Sequence, residues 1–352
     1  MKKKALLLMS LAAVLCGLVS CNKTGLDPDV TEPTGFYILN NGSWGGNDAS
    51  VSRFDITDKT CSPNAFLAAN NRALGDLGQD MIRFQNYLVF AVNGSKKVFI
   101  TDESLKIKVE ISFDYSGLGE LSPRYLCCTD KKIYVSLYEG YVCEINPADL
   151  SKRYAKVGPN PEGIAVCNGK LFVANSGGYN YPEYNNTVSV VDIESFKEEK
   201  TLTVNCNPNL MARNGNHIYL TSFGNYADIP AKLQHIDALS LEVSDLDYKN
   251  PSYIALEDSK LYVLCGGYDA DWNPLPGTVL VHDAAANKAL GGLMKDGTNF
   301  PMAYSLSACG GYVWVGCSDY KTNGDVYVVD AIAGSLYHKF DCKGLNPIKV
   351  LR

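Results

Sequence analysis

A chain of 352 residues that is 46% hydrophobic and 20% charged holds enough apolar material for a large packed core, which excludes a disordered tail protein. Its 32 basic residues against 38 acidic ones, a formal net charge of −6, offer no basic footprint to a phosphate backbone and exclude nucleic acid as a partner. Twelve cysteines diluted over this length without Cys-x-x-Cys spacing do not form a disulfide scaffold.

Lys2, Lys3 and Lys4 precede a nearly unbroken apolar run from Ala5 to Val19, too short for a comfortable transmembrane helix and typical of a secretion signal. The run ends Leu18-Val19-Ser20-Cys21, which resembles a bacterial lipobox. Residues 1–20 are therefore expected to be a lipoprotein signal peptide, removed before an acylated Cys21. Its loss takes three lysines, from 32 to 29 basic residues against 38 acidic ones, and leaves a net charge of −9. Residues 21–34, with Asp27, Asp29 and Glu32 among Pro, Thr and Gly, have the composition of a flexible tether. The spaced acids resemble, loosely, the surface-export signal of Bacteroidota lipoproteins.

From Phe36 onward short β-branched and aromatic runs alternate with Gly, Asn and Asp clusters, and no helical period persists for a dozen residues. An Asx residue ends an alternating strand at Asp55, Asp102, Asn146, Asp192, Asp237, Asp283 and Asp330, in steps of 44 to 47 residues. Seven markers at so regular a period predict seven units of one repeat. The Asx side chain can accept from the backbone two residues on and close a tight turn. A second marker opens another strand at Pro123, Pro161, Pro208, Pro251, Pro301 and Pro347, where a missing ladder donor costs least. Each unit then reads as four strands, a to d, the blade of a propeller. The chain starts at Phe36 with a b-like strand and ends with an a-like strand after Asn346-Pro347. The expected fold of residues 35–352 is an all-β, seven-bladed β-propeller, closed by the C-terminal strand pairing into the N-terminal blade.

The pattern Pro-x-x-Ile-Ala, Lys-Leu-x-Val and Val-x-Val-x-Asp, clearest in residues 161–192, resembles the YncE-like seven-bladed propellers. The opening Phe36-Tyr37-Ile38-Leu39-Asn40-Asn41-Gly42-Ser43-Trp44-Gly45, with Ala69-Asn70-Asn71-Arg72 and Leu74-Gly75-Asp76, resembles their Bacteroidota surface-lipoprotein branch, often labelled "surface layer protein". The similarity spans essentially the whole mature chain. That branch includes the BtuG-like lipoproteins, so the resemblance implies an outer-membrane, lipid-anchored and cell-surface protein. It would bind cobalamin or another corrinoid and pass it to a BtuB-like TonB-dependent outer-membrane transporter.

The b–c and d–a loops of such a wheel share one face. The b–c loops are short at Asn93-Gly94 and Glu139-Gly140 and long at 40–50, 175–187, 222–232, 266–278 and 318–325. The long ones carry Trp44, Tyr179, Tyr181, Tyr184, Phe223, Tyr226, Tyr268, Trp272 and Tyr320 amid Gly, Asn and Asp. Rings give flat contact area at small entropic cost, and Asn and Gly adapt around them. Arg72, Asp76, Gln79 and Tyr115 on the d–a side join them, as do Asp80, Arg124, Glu162, Asn209, Ser252 and Met302 near the starts of the a strands. These could orient a polar ligand through a few convergent hydrogen bonds. Cobalamin, an oligosaccharide and a partner protein all suit this composition.

Nucleophile elbow, dinucleotide fingerprint, P-loop and HExxH motifs are absent. His217, His235, His282 and His338 fall on predicted strands. Asp269 and Asp271 lack the glycine and distal glutamate of a calcium loop. No catalysis, metal or cofactor is expected, cobalamin being cargo, and the cysteines at 61, 127, 128, 143, 167, 206, 265, 309, 317 and 342 are expected to be mostly free thiols. The alternative function is a surface-layer propeller that binds a partner protein or glycan.

Overall fold

Blade four shows how each repeat becomes a sheet. Its strands run Pro161–Cys167, Lys170–Asn175, Thr187–Asp192 and Lys197–Thr203. The turn between the first two is Asn168-Gly169, both at positive φ (50° and 71°), the backbone that a two-residue hairpin turn demands and these residue types tolerate. The second strand is buried along nearly its whole length, because one face packs on blade three and the other on blade five. That explains why such strands read as continuous apolar runs rather than alternating ones.

Residues 35–115, 117–268 and 274–352 are described by the computed structural model of the chain. The predicted signal peptide, Cys21 and the tether lie outside them, as do Asp269, Asp271 and Trp272; Tyr268 is described in its backbone only. The described chain forms seven four-stranded antiparallel sheets, a seven-bladed β-propeller as the repeat predicts. Blade one is composite: Pro347–Leu351 is innermost, followed by Gly35–Asn40, Ser50–Asp55 and Thr60–Ser62, with Ile38 opposite Val350.

Seven apolar clusters fill the seven spaces between blades. At the seam, the fully buried Trp314 of blade seven lies 4.5 Å from the Phe36 ring and 5.9 Å from that of Phe54 in blade one. Burying rings of this size stabilises the closure by several kcal/mol.

The Asx markers close the c–d turns. Thr57 N donates to Asp55 Oδ1 at 2.8 Å, Leu239 N and Ser240 N to Asp237 Oδ1 at 2.8 Å, and Ile332 N and Ala333 N to Asp330 Oδ1 at 2.9 and 2.7 Å. Pro123, Pro161, Pro208, Pro251 and Pro347 each begin an a strand. Pro301 instead stands two residues before Ala303–Cys309.

Two features differ from the sequence expectation. Ala65–Asn70 forms a short helix between blades one and two, seating Phe66 against Phe90 and Phe99. The b–c insertion of blade six is not all loop: strands Lys260–Tyr268 and Pro274–Asp283 extend past the other blades, with Gly267 opposite Leu275.

Candidate functional site

The b–c and d–a loops do share one face, and backbone hydrogen bonds join them. Ser176 N donates to Asn160 O, Phe223 N to Asn207 O, Gly266 N to Asn250 O and Ser318 N to Met302 O, at 2.9 to 3.1 Å. Where each a strand meets this face, its register against strand b slips, at Gly78/Asp80, Pro123/Leu126, Pro161/Ile164, Pro208/Met211, Pro251/Tyr253, Ala303/Ser305 and, in blade one, Pro347/Lys349. A bulge leaves residues unpaired and re-aims their side chains. Seven-fold repetition of that local defect builds the mouth of the wheel.

On blades two to four the mouth is polar and self-paired. Arg124 donates through Nε and Nη2 to both carboxylate oxygens of Glu162 (2.7 and 2.8 Å) and through Nη1 to Gln79 Oε1 (2.8 Å). Its guanidinium also lies 5.0 Å from the Tyr138 ring centre. Burial opposes charge on both partners. Glu162 is raised above the usual carboxylate value by burial, with Arg124 pulling it back. On Arg124 the charge and hydrogen bonds of Glu162 outweigh burial, and its pKa rises. The bidentate geometry is that of an ionised pair. Beside it, the buried Asp80 accepts from Met81 N (2.9 Å), Leu126 N (3.0 Å) and Lys349 Nζ (3.1 Å).

On blades five to seven the mouth opens into a recess of about 670 Å³. Phe223, Tyr226, Tyr253, Tyr304 and Tyr320 line it together with small residues such as Ala231, Gly266 and Ala303. The rings follow one another: Phe223 to Tyr253 at 6.3 Å, Tyr253 to Tyr304 at 6.3 Å, and Tyr304 to Tyr320 at 5.4 Å, edge to face. Burial, then the neighbouring phenols of Tyr304, Tyr125, Tyr320 and Tyr226, push the Tyr253 hydroxyl well above its ordinary pKa. Tyr253 thus keeps its proton at neutral pH.

Of the residues singled out from sequence, Phe223, Tyr226 and Tyr320 line the recess. Tyr181 and Tyr184 extend it, Tyr184 lying 6.0 Å from Tyr226. Tyr179, 74% exposed, meets Tyr138 at 4.8 Å and borders the polar half. Arg124 and Asp80 belong to that half. Trp44 stands 80% exposed on the blade-one loop. Arg72 and Tyr115 are not at the mouth: Arg72 pairs with Glu110 at 2.9 Å over the Phe99 ring of blade two, and Tyr115 stacks on Tyr154 at 4.4 Å in blade three. Tyr253 and Tyr304 escaped the sequence reading. The available signal was an aromatic two or three residues after the blade-opening Pro251 and Pro301.

The histidines are strand residues, as expected, and three of them are networked: His217 Nδ1 and His235 Nε2 are 2.8 Å apart, and His282 bridges Tyr248 (2.9 Å) and Asn287 (3.0 Å). Among the described residues no group of three or more His, Cys, Asp or Glu is placed to hold a metal ion. Ten described cysteines are unpaired, and burial raises thiols such as Cys127 and Cys265, as in inert core cysteines.

No family model matches the chain, and no curated protein sequence does. Solved structures do. Kuenenia stuttgartiensis hydrazine synthase aligns over 70% of this chain and 74% of its own with a TM-score of 0.55 at 15% identity. The Neurospora crassa Pan2 WD40 domain aligns over 72% and 76% with a TM-score of 0.53 at 12% identity. At such identities the likeness is one of fold. The chain is a seven-bladed β-propeller.

Proposed function

We propose that this protein is a non-catalytic, lipid-anchored surface receptor that captures cobalamin or a related corrinoid in the aromatic recess and passes it to a TonB-dependent outer-membrane transporter. The recess carries the proposal: five rings and several small residues from three blades surround one cavity on the loop face. A corrinoid is broad, rigid, apolar on its faces and fringed with amides, so it would lie across such rings while Asn and Ser at the rim meet its edge. About 670 Å³ holds part of such a molecule, leaving the rest for a transporter to grip.

The anchor follows from the lipobox-like Leu18-Val19-Ser20-Cys21. A multiply acylated cysteine holds to a membrane far more firmly than a single chain does. Gly35 pairs with Asp55, at the c–d turn end of blade one, so the described chain begins on the face opposite the recess. Fourteen residues, 21–34, reach at most about 50 Å.

Titration calorimetry of the mature protein with cyanocobalamin tests the ligand. A saturable heat at micromolar or lower concentration supports it, and no heat with no thermal shift removes it. Cys21→Ala tests the anchor: the variant should leave the membrane fraction and fail to incorporate labelled fatty acid.

A further inference from the structure

We infer that the recess admits uncharged ligand groups and rejects their anionic counterparts, with Tyr253 and Tyr304 as the selecting floor. This rests on the proposal that the recess is a ligand site, and it adds what that site refuses. The described lining is aromatic, aliphatic and small, with Asn250, Ser252 and Ser318 as polar members other than tyrosine and no Asp, Glu, Lys, Arg or His.

Two cations of the polar half are already committed there. Arg124 is bonded to Glu162 and Gln79, and Lys349 to Asp80. A carboxylate or phosphate entering the recess would shed its hydration and find no counter-charge, whereas an amide or hydroxyl of the same shape loses much less. A neutral phenol can donate a hydrogen bond but brings no counter-charge. The ring faces repel anions, and the rings pack tilted or edge to face at 5.4 to 6.3 Å.

Two arms test this. In the first, cyanocobalamin is compared by competition calorimetry with its three monocarboxylic acids, each with one peripheral amide hydrolysed. At least one acid should bind about 30-fold more weakly or worse, the cost of an unpaired buried charge. Met302→Lys, at a partly exposed lining position, should shrink that gap to within about threefold by supplying the missing counter-charge. Three acids that all bind like the amide, or a gap that Met302→Lys leaves unchanged, would overturn the inference while the corrinoid proposal stands.

The second arm needs no corrinoid. Saturation-transfer NMR should detect 2-naphthamide on the wild type, lose it in Tyr253→Ala, and detect no 2-naphthoate. Naphthoate bound as well as naphthamide would contradict anion rejection even if cyanocobalamin itself failed to bind. If neither fragment binds, the recess is no ligand site and the inference falls with it.

Discussion

The two halves of the mouth are built from the same strand positions and do opposite things. In blades two to four the bulged starts of the a strands present Gln79, Arg124 and Glu162, which consume one another's hydrogen-bonding capacity. In blades six and seven the corresponding stretch presents Tyr253 and Tyr304, which leave a cavity beside them. A buried ion pair fills space and fixes geometry; a cluster of phenyl rings with small neighbours leaves area to be covered. The lesson is that charge at a propeller mouth need not mark the binding site. Here the charged half acts as a brace, and the uncharged half is the proposed receptor surface.

The sharpest way to break this contrast is Arg124→Ala. It strands the Glu162 carboxylate, and denaturation should show a loss of about 3–5 kcal/mol, recovered in good part by adding Glu162→Gln. If ligand affinity collapsed in the double variant while stability returned, the polar half would be part of the receptor. Next in size are Tyr226→Ala and Tyr320→Ala, each expected to cost about 0.5–1.5 kcal/mol of binding by calorimetry.

Acid gives a smaller, slower effect. Burial, with His217 beside it, lowers the His235 pKa, so the unfolded chain takes up that proton first. The stability tied to neutral His235 is present above the unfolded value of about 6.5 and is lost as pH falls through the lower folded value. Asp237 and His282 also face this pair. Denaturation midpoints should fall between pH 7.5 and 5, with a shallower slope in His235→Asn. Smallest of all, Trp44→Ala should change stability by less than about 0.5 kcal/mol. A large loss of affinity there would extend the receptor to blade one.

The wheel was legible because its determinants are local and repeated. An Asx at each c–d turn and a proline at most a-strand starts set the period, and complementary ends announced the composite blade. Phe223, Tyr226 and Tyr320 were legible because long loops rich in rings stand out. Tyr253 and Tyr304 were not, since a tyrosine in a strand ordinarily packs in the core; only the bulge after Pro251 and before Ser305 turns them to the mouth. Arg72 and Tyr115 misled for the converse reason. Their linkers run long enough to fold outward, onto Glu110 and Tyr154, and spacing along the chain does not reveal that direction.

The most direct measurement is a crystal structure of the mature protein soaked with cyanocobalamin. The ligand should lie across Phe223, Tyr226, Tyr253, Tyr304 and Tyr320 with Arg124 still bound to Glu162. Density over the Arg124–Glu162 pair, or on the c–d turn face, would contradict it.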